Sequence, residues 1–389
     1  MSYGLVAEEE LPAVFAMVGW AYAITPAEAE TWMNVAGLDA FRVLRKGGKP
    51  AASLLLVKMG QCFGGRSVPM GGIAGVAVAP EQRGSGAAKK LMEHALAELR
   101  EEKIALSTLY PATRTLYRSV GYEPAGLSFE YSIPLERITA RDHGLEVRPI
   151  EEADHEEVER AYRAHALRND GTLDRGAYIW GRVRKSRGKD TRGFAFGARG
   201  KLEGYAYVIE KYGDDDSRYD VRLTDAVTLT PAAGRRLLAF LADHRSIGAK
   251  LIWRGGTGDP LLQQLPEVGY DTCLPAGSWM TRIVDVKRAL EGRGYVPGLE
   301  TEVHLEVTDP LFAENQGRFV LSVAEGQGKV RRGGKGRLKV GIRGLAPLYT
   351  GHLSPAALAG AGLVEGPEAE LARASLAFLG RAPFMADYF

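Results

Sequence analysis

The sequence predicts a mixed α/β protein: two repeated α/β blocks followed by a third, α+β block. Three observations carry this prediction. Residues 73–92 read as a buried strand, a short Gly-rich turn and a helix. The order helix, hairpin, strand, helix, strand occurs before residue 135 and again between residues 145 and 254. Short strands between 303 and 342 then give way to helical segments that close the chain. At 389 residues the chain has room for two or three domains, each with a sizeable core.

In the first block, the apolar stretch 11–24 follows Glu8, Glu9 and Glu10. It is too short to span a bilayer and lacks the basic lead of a signal peptide, so it reads as an amphipathic helix of a cytoplasmic protein. Segments 42–44 and 51–58, joined by Lys46-Gly47-Gly48-Lys49, read as a hairpin. The β-branched Val76 and Val78 then end a strand at Pro80, and Leu91, Met92, Ala95, Leu96 and Leu99 recur at helical spacing.

Between strand and helix lies Arg83-x-x-Gly86-x-Ala88. A helix start offers unpaired N–H groups and the positive end of its dipole, which suit a phosphate. Gly84 and Gly86 have no Cβ to keep a bulky anion from the backbone. The pattern is neither Gly-x-x-x-x-Gly-Lys-Ser/Thr nor Gly-x-Gly-x-x-Gly, which argues against nucleotide hydrolysis and dinucleotide binding. A plain strand–turn–helix joint with a surface arginine is the alternative. A strand at 104–110 follows, then Pro111-Ala112-Thr113-Arg114 and a helix in which Leu116-Tyr117-x-x-x-Gly121-Tyr122 puts a glycine at C′.

The second block runs as a strand at 145–150, a helix at 151–168, a hairpin of 193–198 and 203–212 about Arg199-Gly200-Lys201, a strand at 221–229, a helix at 232–244 and a strand at 250–254. Its turn, Leu229-Thr-Pro-Ala-Ala-Gly-Arg-Arg236, lacks Arg-x-x-Gly-x-Ala, so this copy is expected to hold no such phosphate-bearing ligand and to brace the first. The third block starts near Ser278. Its strands are read at 303–307, 317–323, 329–332 and 338–342, and its helices at 344–349, 354–361 and 367–378, with Ser354 as N-cap and Pro355 at the first position.

Composition bounds the partners. Hydrophobic residues make up 45% and charged residues 25%, as in a soluble globular protein, and the formal charge of +2 gives no bulk attraction to nucleic acid. The basic run Lys329-x-Arg-Arg-Gly-Gly-Lys-Gly-Arg337 has no interleaved aromatics to stack bases. Cys62 and Cys273 are expected as buried thiols, and the seven histidines lack ligand spacing, so no metal is assigned. Asp214, Asp215 and Asp216 read as a solvated turn that could also draw in a polycation.

The loop Arg83-x-x-Gly86-x-Ala88 after Val-x-Val resembles the coenzyme A loop of the GNAT superfamily of N-acetyltransferases. Trp279-x-x-Arg282-x-x-Asp285-x-x-x-Ala289-Leu290 and Gly344-Leu-Ala-Pro-Leu-Tyr-Thr-Gly351 resemble the enhanced-intracellular-survival (Eis) family of acetyltransferases. So do Pro355-Ala-x-Leu-Ala-x-Ala-Gly-Leu363 and the Phe384 to Phe389 ending. The resemblance covers the whole chain. It implies two tandem GNAT folds, at 1–135 and, degenerate, at 136–285. A sterol-carrier-protein-like α+β domain at 286–389 would bring its C-terminus to the active site. It also implies acetyl-CoA as co-substrate, a primary amine of a polyamine, an aminoglycoside or lysine as acceptor, and a hexamer built as a dimer of trimers.

By resemblance the coenzyme contacts map to Val76, Ala77, Val78, Arg83, Gly84, Ser85, Gly86, Ala87, Ala88, Lys89, Ala112 and Thr113. The strand through Val76 and the strand at 104–110 would splay, with the pantetheine arm bonding the first like an added strand. A leaving thiolate, whose thiol pKa is about 8.5, benefits from an acid, and a tyrosine hydroxyl with a pKa near ~10 can donate. That role maps to Tyr117; Tyr122 is expected in the core. The general base maps to the C-terminal carboxylate of Phe389, whose reference pKa of ~3.3–3.7 would rise on burial. A frayed tail is the usual fate of a chain end. The apolar load of Phe384, Met385, Tyr388 and Phe389 argues for a docked one. The rival readings are a lipid- or ligand-binding protein with a vestigial transferase, and transfer of a longer acyl group.

Overall fold

The structure, a computed structural model, describes the chain apart from residues 187, 188, 213–216 and 271, and leaves the side chains of 186, 189 and 272–276 undescribed. The Asp214–Asp216 run and the Cys273 thiol therefore lie outside the described residues. Cys62 is buried. The chain divides into two compact units. One comprises Met1–Gly126, Trp279–Arg381 and Phe389; the other comprises Leu127–Ser278 and Ala382–Tyr388.

In the first unit, Ser2–Leu5 pairs antiparallel with Phe41–Lys46, which pairs with Lys49–Phe63 across Gly47 and Gly48. These glycines have φ of 59° and 77°, the left-handed values a two-residue hairpin turn of the right twist requires. Lys49–Phe63 pairs with Arg66–Val78, and that strand pairs parallel with Leu106–Leu109. The C-terminal part of Thr272–Ile283 adds on the far side, Met280 opposite Leu109 and Ile283 opposite Leu106. Helix Ala87–Glu101 is the crossover. Leu91, Met92, Ala95, Leu96 and Leu99, the stripe read from spacing, are all buried against Leu54, Leu56, Ile73 and Leu109.

Helices Leu11–Tyr22 and Pro26–Ala36 precede the hairpin. The second starts at a capping box, with Thr25 and Glu28 each satisfying the other's backbone N–H. The last block forms its own sheet in the order Gln327–Arg332, Gly317–Ala324, Thr301–Thr308, Leu338–Gly341, Val364–Glu365. Helices Val286–Gly292, Ile342–Thr350, Pro355–Gly360 and Glu368–Ala377 accompany it. Ser354 caps Pro355–Gly360 by accepting from Ala357 N–H at 3.2 Å.

The Trp279-x-x-Arg282 motif ties that sheet to the first block. Trp279 is fully buried, and its ring fills the space a side chain on Gly126 would need. Arg282 donates two hydrogen bonds to Asp309, at 2.8 and 2.7 Å, both side chains 0% exposed. Asn315 Nδ2 donates to the same carboxylate at 2.8 Å.

The second unit repeats the scheme. Val147–Pro149, Arg192–Phe196, Gly204–Tyr212 and Tyr219–Thr228 pair antiparallel in turn. Tyr219–Thr228 pairs parallel with Gly248–Gly255, which pairs antiparallel with residues 129–134 of Glu123–Pro134. Helices His155–Ala166 and Pro231–Ala242 occupy the places expected of them. The strands Glu123–Pro134 and Thr272–Ile283 and the helices Pro26–Ala36 and Ala177–Arg184 add to the elements read from sequence.

Removing one partner of a buried ion pair strands the other. Asp309→Ala leaves the Arg282 guanidinium uncompensated and is expected to destabilise the fold by about 3–5 kcal/mol. The check is the urea unfolding midpoint, which falls while the slope of the transition is kept.

Candidate active site

The site begins with a strand that loses one neighbour. Arg66–Val78 pairs with Lys49–Phe63 along its whole length, from Phe63 opposite Arg66 to Ala52 opposite Val78. Its parallel ladder with Leu106–Leu109 runs only from Met70 opposite Leu106 to Ile73 opposite Leu109. Past Ile73, among the described residues, no strand covers that edge.

The cause is local. The register slips between Ser53 and Leu55, so that Gly75 and Val76 together face Leu54. Gly75 takes φ of 59°, the left-handed conformation of a glycine bulge, which increases strand twist. The Trp32 ring closes over it: a Cβ at Gly75 would lie 3.1 Å from that ring. The outcome is a run of backbone at residues 74–78 with an open edge and an apolar floor.

That edge leads into the glycine loop. Pro80–Gln82 makes one 3₁₀ turn, and Arg83 returns to extended backbone. Gly84 and Gly86 then take φ of 76° and 80°. Nothing lies within 4 Å of where a Cβ would stand on either, so the loop is an open cradle. Gly86 is the N-cap of Ala87–Glu101 and offers no side-chain cap. The first N–H groups of this helix have no partner within the helix itself, and its dipole makes the place attractive to anions. Ser85 Oγ donates back to the Gln82 carbonyl at 2.6 Å and stiffens the turn. Arg83, Gly84, Ser85, Gly86 and Lys89 are exposed, Ala88 is half-buried, and Ala87 is buried beneath the cradle. Ala112 and Thr113 are exposed just before helix Arg114–Arg118. The residues present therefore fit a diphosphate group.

Tyr117 is 5% exposed on that helix, its ring edge-on to Tyr122 at 6.1 Å. Gly121 holds the C′ place as expected. Its N–H bonds the Arg118 carbonyl at 3.0 Å, Tyr122 N–H bonds the Tyr117 carbonyl at 3.1 Å, and φ is 94°. The tight end is enforced from outside, because a Cβ at Gly121 would lie 2.7 Å from Arg282 Nε. Tyr122 is fully buried. Its hydroxyl bonds Ser107 Oγ at 2.7 Å, and Ser107 donates to the Gly71 carbonyl at 2.8 Å. Burial pushes the Tyr122 phenol well up, so it stays protonated.

The chain end is docked. Phe389 is 5% exposed, 6.1 Å from the Tyr110 ring and at 67° to it. A Cβ on Gly72 would lie 2.8 Å from its ring, so only glycine admits it there. Met385 is buried as well. Tyr388 departs from the expected apolar load. Its ring is exposed and lies over the Arg254 guanidinium at 5.8 Å. Neither Gly72 nor Tyr110 belongs to a motif; the Gly71-Gly72 pair inside a strand is the sequence signal for a close approach at Gly72.

Residues 2–125 and 171–283 each match an acetyltransferase (GNAT) domain, and residues 286–386 match a sterol carrier protein domain. A GCN5-related N-acetyltransferase from Anabaena variabilis is 37% identical, with 100% of both chains covered and a TM-score of 0.95. The chain belongs to the GCN5-related N-acetyltransferase family. An uncharacterized N-acetyltransferase of Streptomyces griseus is 28% identical over 349 residues, 84% of this chain and 83% of its own. Eis1 from Mycobacterium abscessus shares the fold, with a TM-score of 0.80 at 20% identity over 100% of both chains. The expected three-part order, two GNAT folds and a sterol-carrier-like domain, is thus present. Among the described residues no group of three or more His, Cys, Asp or Glu is placed to hold a metal, and no helix is long and apolar enough to cross a membrane.

The contrast between the two tyrosines is testable. Tyr122→Phe removes one buried hydrogen bond and is expected to cost about 1 kcal/mol in chemical unfolding, with acetyl-transfer turnover near wild type.

Proposed function

We propose that this N-acetyltransferase moves the acetyl group of acetyl-coenzyme A to a primary amine of a polycationic small molecule, of the aminoglycoside or polyamine type, or of a lysine. The observation that carries the reading is the unbroken run from the open edge at residues 74–78 into the open cradle at Gly84 and Gly86. The polycationic acceptor rests on resemblance to the Eis family. So do a hexameric assembly, the domain limits near residues 135 and 285, and a cytoplasmic location.

In this reading, Arg83, Lys89 and the N–H groups of Gly84, Ser85, Gly86, Ala87 and Ala88 hold the diphosphate. The backbone of Val76, Ala77 and Val78 bonds the pantetheine arm like an added strand, and Ala112 and Thr113 flank it. Acetyl-coenzyme A supplies the acetyl thioester. The Phe389 carboxylate takes the proton from the acceptor ammonium, directly or through one water, which frees the nitrogen lone pair for the carbonyl carbon. A backbone N–H on the open edge stabilises the oxyanion. As the C–S bond breaks, Tyr117 gives its phenolic proton to sulfur, and the nitrogen's second proton passes to the tyrosinate, directly or through water, leaving an amide, the free thiol and a reprotonated Tyr117.

Calorimetry with coenzyme A and a thiol-release assay over a panel of amines test the reading. Saturable binding with turnover supports it. Fatty-acid binding without turnover would favour the lipid-binding rival. Tyr117→Phe is expected to lower kcat by about 10²-fold or more with little change in coenzyme affinity. Extending the chain a few residues past Phe389 is expected to cripple turnover while the far-UV circular dichroism stays unchanged; a fully active extended protein retires the carboxylate role.

A further inference from the structure

The second unit buries an ion cluster that neither the coenzyme loop nor the acid and base chemistry uses. Arg175 Nη1 and Nη2 donate to the two Asp225 oxygens at 2.7 and 2.8 Å. The same guanidinium reaches Asp387 through Nε at 3.1 Å and Nη2 at 2.8 Å. Its face lies on the Tyr162 ring, 3.6 Å from the centroid, with Trp180 at 4.9 Å. Tyr205 donates to Asp225 at 2.7 Å, and Tyr162 donates to the Leu173 carbonyl at 2.8 Å and to Asp387 at 3.3 Å. The Arg175 side chain is 2% exposed.

One cation here faces two buried carboxylates. Burial pushes Asp387 up from the usual carboxylate range, and Arg175 opposes that shift. Such a cluster is a poor source of stability, since desolvation offsets most of the Coulomb gain. What a rigid fork with two bidentate partners supplies is position.

The thing positioned is the tail. In the second unit the parallel ladder of Tyr219–Thr228 with Gly248–Gly255 ends at Arg222 opposite Ile252, so this copy also opens a gap between two strands. The tail lies there. Phe384 packs at Gly256, where a Cβ would stand 2.9 Å from its ring, and Asp387 is held beside Asp225 by Arg175. Backbone bonds from Leu127 N–H to the Pro383 carbonyl (3.3 Å) and from Phe384 N–H to the Asp170 carbonyl (3.0 Å) fix its start. Arg182 Nε donates to the Tyr388 carbonyl at 3.1 Å. Phe389 is two residues past Asp387, at most about 7 Å of chain.

We propose that Arg175 is a positioning residue for acetyl transfer: by gripping Asp387 in the degenerate copy's own cleft, it sets where the terminal carboxylate of Phe389 stands. The inference rests on the base role of Phe389 proposed above.

The test uses the full-length protein with Arg175→Lys, which keeps the charge and loses the fork, and Asp387→Asn, which keeps the size and loses the charge. Three quantities are read: kcat and KM in the thiol-release assay, the coenzyme Kd by calorimetry, and the rate at which carboxypeptidase A releases Phe389 from the native protein. The expected result is faster release of Phe389, kcat lowered by up to about 100-fold, and an unchanged coenzyme Kd, which also certifies folding. Wild-type kcat, or a lowered kcat with Phe389 still protected, overturns the proposal. The protein extended past Phe389 separates the two readings. If it is inactive while both variants are fully active, only the role of Arg175 falls; if all three are active, the carboxylate reading falls too.

Discussion

The glycine bulge opposite Leu54 is the constraint on which the site depends. A parallel ladder that continued past Ile73 would satisfy both edges of residues 74–78 and leave no backbone to offer a ligand. The bulge adds twist, the neighbouring strand is left behind at Leu109, and among the described residues no strand covers that row of N–H and C=O groups. Trp32 over Gly75 and Phe389 against Gly72 then make the surroundings apolar. Hydrogen bonds offered to a ligand in such a place are worth more than the same groups would be in open water.

The second copy shows what the same topology does without the cradle. Its ladder also stops early, at Arg222. Its next helix, Pro231–Ala242, begins at Thr230, whose hydroxyl accepts from Ala233 N–H at 3.1 Å and donates to Glu203 at 2.6 Å. The helix start is capped from within, whereas Gly86 gives its counterpart no side-chain cap. The opened strands meet the protein's own tail in place of a ligand. The same topology thus leaves one helix start without a side-chain cap and the other capped from within, from a difference of a few residues at a turn.

Several parts of this arrangement are legible in the sequence alone. The stripe Leu91, Met92, Ala95, Leu96 and Leu99 reads as a buried helix face, because residues at that spacing share one side of the helix and burying that apolar side is favourable. Gly84 and Gly86 had to mark a special turn, and the Gly121 stop and the Ser354 cap were predicted at their observed places. Helix Pro26–Ala36 is not among the elements expected from the sequence, although the chain carries its Thr25-x-x-Glu28 box. Its mixed, weakly patterned face gave no period to read.

By itself the sequence determined the local conformations and the order of blocks, since both follow from short-range sterics, capping and hydrophobic period. It carried the candidate loop, Tyr117 and the apolar chain end in plain view. Only tertiary structure decided which residues meet across long separations: Phe389 with Gly72 and Tyr110, Arg282 with Asp309, and Arg175 with both Asp225 and Asp387. No periodicity announces such pairs. A buried charge finds its partner through packing, and what fixes the pair is the cost of leaving either member alone, a quantity set by the whole interior rather than by neighbours in the chain.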